Sequence, residues 1–218
     1  MLIARILPGV LLSLAQASSA AAAQQVAPVV LRVNGVSLAM QWQVLEGAPE
    51  ELARRLQDRW GTRLPGPGAA SSARRLLGRQ RGPFHETLTL SPGPRAGTAL
   101  ALVAVQDLRR RPAPLPPRPL TLPVAAQLLN VIEFGAPDGP ATAWTFEVAG
   151  AADVVLKAID TAAREAGWRQ RITLPLESRP QALWAQRAAQ ELAAVAIDSG
   201  ARTRLVLLVT SPVAGAAP

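Results

Sequence analysis

A proline-rich tract near the middle of the chain limits what the residues around it can build. Residues 109–123 read RRRPAPLPPRPLTLP, with six prolines in fifteen positions. So many missing amide donors exclude a helix or an interior strand there. Polyproline II is the expected conformation, and at about 3.1 Å per residue the tract would reach roughly 45 Å if fully extended. Arg111, Pro114 and Pro117 fit an R-x-x-P-x-x-P docking spacing, a match that proline-rich tracts produce readily by composition alone. The expected organisation is a first unit over 26–108, a linker over 109–126, a second unit over 127–212 and a short tail over 213–218.

The two flanking halves read as loose copies of one another. In the first, Val29 to Val44 is rich in strand formers, with Asn34-Gly35 as a hairpin turn. A helix follows: Pro49 suits its first turn, Glu50 and Glu51 complement its positive end, and Gly61 suits its stop. Leu52, Leu56 and Trp60 recur every four residues as one apolar stripe. After a Gly/Pro/Ser loop near 62–72, His85–Leu90 and Thr98–Val105 form a hairpin.

The second half repeats the order. Ala143–Val148 reads as a strand, and a helix is expected from about Ala152 to Ala166, with Val155, Ile159, Ala162 and Ala166 inward and Gly167 as its stop. Gln190–Ile197 and Thr203–Thr210 form a hairpin around Asp198-Ser199-Gly200. Residues 182–192 carry conflicting signals. Their alanine content, with Leu183, Arg187 and Glu191 at helical spacing, favours helix, whereas the repeat favours strand from about Gln190. A short helical or irregular piece followed by the strand is expected. The fold class on this reading is α+β, two strand-helix-strand-strand (βαββ-like) halves with antiparallel hairpins.

Residues 1–23 have the three parts of a secretory signal: Arg5, the apolar Ile6–Leu14, and the small-residue run Ala17–Ala23. Cleavage near Ala23 is expected, leaving a periplasmic or secreted protein with no transmembrane segment. Removing Arg5 leaves 22 basic against 15 acidic side chains, a net charge of +7. That balance could attract anionic envelope surfaces, and the Arg109-Arg110-Arg111 run is its densest cluster.

Chemistry is sparsely provided for. The chain has no cysteine, so it forms no disulfide and no thiolate metal site. His85 is the sole histidine, which excludes multi-histidine metal centres. On an alternating strand His85 and Glu86 point to opposite faces and cannot form a dyad, and His85 belongs to the solvent face. Glu50, Glu51 and Asp153 are accounted for by helix starts, and Asp138 and Asp198 by turns. Phosphate-binding loops and the nucleophile elbow are absent. No catalytic, cofactor or metal residue is expected. Nor is nucleic-acid binding, since Trp42, Phe84, Trp144 and Phe146 are needed for the core.

The element order is similar in outline to the periplasmic modules of secretin-type and TonB-dependent outer-membrane machinery. That likeness implies a non-enzymatic interaction module in a secretion or pilus assembly, with an envelope protein as partner. The alternatives are a salt-sensitive binder of anionic surfaces through Arg109, Arg110 and Arg111, and a carboxylate-dependent hydrolase.

Overall fold

The computed structural model describes residues 27–60, 74–122, 125–136, 139–175 and 181–212. The signal-like segment 1–23, Gly61, the loop near 62–72, Asp138 and the tail 213–218 lie outside them. Contacts divide the chain into two compact units, Met1–Leu31 with Val36–Arg111 and Arg32–Gly35 with Pro112–Pro218.

The first unit is built from β1 (Val29–Val33) as far as Leu31, β2 (Val36–Glu46), α1 (Pro49–Trp60), β3 (Arg75–Arg81), β4 (Phe84–Pro92) and β5 (Thr98–Asp107). Asn34 and Gly35, at φ 50° and 79°, make the left-handed two-residue turn that the Asn-Gly pair favours. The strand order is β3-β4-β5-β2-β1, and β2, β5, β4 and β3 pair antiparallel in turn. Alternation gives β5 one buried row, Ala99, Ala101, Val103 and Val105, opposite Leu45, Gln43, Gln41 and Ala39 of β2. Leu77, Leu88 and Leu90 extend the same layer. The buried Leu52, Ala53 and Leu56 of α1 close it, each Leu contributing roughly 1.5–3 kcal/mol by leaving water.

The second unit comprises β6 (Ala126–Ala136), β7 (Gly139–Ala149), α2 (Ala152–Glu165), β8 (Arg169–Pro175), β9 (Gln181–Arg187), β10 (Gln190–Ser199) and β11 (Arg202–Thr210). The order is β6-β7-β11-β10-β9-β8, again antiparallel throughout. Trp144, Phe146 and Val148 of β7 pack with Leu205 and Leu207, with the small Ala194 and Ala196, and with Val155, Leu156 and Ile159 of α2. Ala151 offers the start of α2 no side-chain cap. Asp198 supplies one from the end of β10, its Oδ1 accepting the Ala152 amide at 2.9 Å. At the other end Gly167 (φ 80°) donates to Arg164 O and Trp168 to Ala163 O, which stops the helix and turns Trp168 into the core.

The expected fold class is overturned. The described residues form eleven antiparallel strands and two helices, so the molecule is dominated by antiparallel sheet and has no βαββ halves. Each unit places a β-hairpin before its helix and an antiparallel meander after it, whose last strand returns to the hairpin. The element order behind the likeness to secretin-type and TonB-dependent modules is therefore not the one the chain adopts.

Particular residues show why. β3 (RLLGRQR) carries three arginines and Gly78, a composition that reads as loop but suits a terminal strand, where charge discourages edge-to-edge pairing. β6 has a register irregularity between Leu128 and Asn130 that breaks its alternation. The segment 182–192 is not helical: β9 runs to Arg187, a turn at Ala188 (φ 52°) follows, and β10 begins at Gln190. Alanine wins there as a small strand residue, because Ala185 and Ala194 are buried in the layer beneath α2. In β2 the core positions go to Gln41 and Gln43, and Trp42 is half-buried on the opposite face. Trp144 and Phe146 are buried as expected, and Phe84 packs at the margin of the first core.

The proline-rich segment has no regular structure from Arg111 to Arg118. It is nevertheless fastened: Ala113 donates to Gly35 O at 2.9 Å, and Leu120 is buried in the core of the second unit. Arg118 lies 5.4 Å from the Phe146 ring centroid.

Candidate functional site

The arginine run begins where β5 ends. Asp107, 5% exposed, closes the strand and faces back toward the turn that follows. Arg109 donates its Nε to Asp107 Oδ1 at 2.9 Å and a terminal nitrogen to Oδ2 at 2.8 Å, a bidentate pair. Its backbone amide adds a third bond to Oδ1 at 3.1 Å. These bonds, opposed by burial, hold the Asp107 carboxyl at about 2, below its ordinary 3.8, and raise the Arg109 pKa. Arg109 also lies over the Phe84 ring, 5.3 Å from its centroid. Arg110 approaches the same carboxylate at 3.8 Å. Arg111 is exposed and has no acidic partner among the described residues. One carboxylate therefore offsets one of the three positive charges and fixes Arg109 in place.

A second polar group lies inside the first unit. Glu86 is fully buried on the face of β4 that also carries Leu88 and Leu90. Its register partner on β3 is Arg79, whose Nε donates to Glu86 Oε2. The Arg79 guanidinium is stacked 4.2 Å from the centroid of Trp60, the last residue of α1. Among the described residues Glu86 Oε1 and Trp60 Nε1 have no hydrogen-bond partner, and neither has either end of the buried Gln43 amide. His85, one residue away, is exposed and cannot reach this group, as the alternation required. The pair was invisible in the sequence because its arginine sits on β3, a segment to which no strand was assigned there.

Several other carboxylates serve structure. Glu51 pairs with Arg55 at 3.3 Å along α1, Glu50 meets Arg75 at 3.5 Å, and Asp198 caps α2. Asp153 is exposed in the first turn of α2. Among the described residues no three of His, Cys, Asp and Glu are placed to hold a metal ion. No helix among them is long and apolar enough to cross a membrane.

β3 in the first unit and β8 in the second are the terminal strands of the sheet order. β3 has no strand partner on one side among the described residues, and it carries an exposed Leu76, at 52%, and an exposed Gly78. This is the geometry that accepts an added strand. Comparison with protein families, with curated proteins and with solved structures returns no match, so the reading of these sites rests on their geometry alone.

Proposed function

We propose that the chain is an exported, non-enzymatic interaction module of the cell envelope that captures an extended segment of a partner protein along β3. The observation that supports this is β3 itself, a terminal strand with Leu76 exposed beside Gly78. Backbone groups there supply affinity by strand pairing, and Leu76 supplies an apolar contact for one side chain of the incoming strand. Arg81, exposed at the end of β3, favours an acidic residue in the partner. Export rests on the signal-like composition of residues 1–23.

The test is site-specific photocrosslinking of the chain in its native envelope, with the crosslinker at Leu76 and, as control, at the exposed Val154 of α2. One envelope protein crosslinked from Leu76 and not from Val154 is expected. Identical products from both positions, or none from Leu76, would remove the support for strand addition.

A second reading is favoured by Arg110 and Arg111, which stay exposed beside the Asp107-paired Arg109: contact with anionic envelope surfaces. It requires binding to anionic vesicles that weakens steeply with salt and falls in an R110Q/R111Q variant. Salt-independent binding would count against it.

A further inference from the structure

We propose that a cleft at the C-terminal end of α2 binds a small molecule through an oxyanion, a carboxylate or a phosphate, held between Arg169 and Arg187. The cleft measures about 540 Å³ and is lined by Gly167, Arg169, Gln186, Arg187 and Ala188. Two arginines and a glutamine provide its polar chemistry, with no acid in the lining among the described residues. The volume is in the range of roughly 300–1,000 Å³ found for small-molecule sites.

The local fold explains why these residues meet. α2 ends at Glu165, and Gly167, with its positive φ, turns the chain toward β8, which begins with Arg169 at the cleft. In the antiparallel register of β8 with β9, Arg169 lies opposite Gln186. Arg187 is the last residue of β9, and the positive-φ turn at Ala188 ends the strand beside it.

Arg187 is fixed before any ligand arrives. Its guanidinium lies 4.6 Å from the ring centroid of the buried Trp168. It donates to Ala166 O at 3.2 Å and to Gln190 Oε1 at 3.3 Å. Both acceptors are neutral, so the side chain is oriented but its charge is not cancelled. Two of five N–H donors are used, leaving three for a ligand. An arginine already ordered loses little further freedom when it binds a carboxylate or phosphate.

The first unit shows the alternative. There Arg79 stacks on Trp60 in the same manner, but the buried Glu86 supplies its counter-charge. In the second unit the arginine on tryptophan has no carboxylate partner among the described residues. The nearby Asp160 is engaged by Arg164, and Glu165, exposed on the last turn of α2, does not line the cleft. Arg169 likewise has no acidic partner among the described residues. Two guanidiniums bordering one cleft repel each other, and a bound oxyanion would relieve that repulsion. The inference does not depend on strand addition at β3.

The experiment is calorimetric titration of the full chain with sodium pyrophosphate and, separately, with citrate, at constant ionic strength held by sodium chloride. Saturable binding of at least one probe is expected, weakened about tenfold or more by R169Q and by R187Q. R95Q, in an exposed loop of the first unit, should leave it unchanged. Preference for one probe distinguishes a phosphate from a carboxylate ligand. R169Q removes an exposed side chain and keeps the test valid should R187Q perturb the Trp168 contact. Binding of neither probe, binding that R169Q leaves intact, or binding that R95Q weakens equally would overturn the proposal.

Discussion

Asp198 caps a helix that begins 46 residues before it, its Oδ1 accepting the Ala152 amide at 2.9 Å. The first turn of a helix has amide donors without intrahelical partners, and Ala151 offers no side chain to meet them. The cap therefore comes from a strand end distant in sequence. D198A should cost about 1 kcal/mol, within the range of roughly 0.5–2 seen for lost caps, while D198N should recover most of it. Urea unfolding with an unchanged slope would check this.

The pairing of Asp107 with Arg109 makes a pH prediction. Asp107 titrates at about 2 in the folded chain against an ordinary 3.8. A depressed carboxylate contributes stability that is fully present above its unfolded pKa and is lost as pH falls through the folded one. The stability difference between the wild-type chain and D107N should therefore be flat above about pH 5 and shrink between about pH 4 and pH 2. Thermal unfolding across that range reads it directly; a difference that stays constant to pH 2 would contradict the assignment.

Glu86 and Arg79 should behave as a unit. Removing one member of a buried ion pair leaves a charge without compensation, at a cost of roughly 3–5 kcal/mol. Arg79 keeps 19% of its side-chain exposure, so E86A is placed at the lower end, about 3 kcal/mol. The double variant R79L/E86L should be more stable than the less stable of the two singles. A double-mutant cycle by chemical denaturation measures this coupling.

Gly35 is required by space as well as by its turn. Its φ of 79° disfavours a side chain, and a Cβ placed there would lie 2.2 Å from Ala113 O. That oxygen belongs to backbone that cannot swing aside as a flexible side chain could. G35A should destabilise by more than the 1–2 kcal/mol of the left-handed conformation alone, seen as a lowered melting temperature, whereas G82A, with φ 57° and open space around it, should cost only the conformational part.

What was legible in the sequence was local. The Asn34-Gly35 turn, the start of α1 at Pro49, the span of α2 and the β4–β5 and β10–β11 hairpins depend on neighbouring residues, and each was read close to its observed place. β3, β8 and β9 depend on pairing with other strands, or on alanine packing under a helix; the first two drew no assignment from local signals, and at β9 the alanine content pointed to helix. The arginine run was visible as a charge cluster, but Asp107 holding it was not, because the spacing does not reveal which way a strand end turns. The cleft of Arg169 and Arg187 needed both β8 and β9, neither of which was read as a strand.

β2 carries a further consequence. Its helix-facing side presents Ala39, Gln41, Gln43 and Leu45, while Leu38, Met40, Trp42 and Val44 look the other way. By apolar content the outward set is the better core, so hydrophobic patterning argues against the orientation the strand adopts. Sliding β2 by a single residue would exchange the two sets, and the left-handed geometry at Asn34 and Gly35 opposes that exchange. The strand is locally frustrated, and its hairpin arbitrates between competing alignments. Refolding is expected to stall when that turn is lengthened, with a misaligned, tryptophan-inward species as the trap.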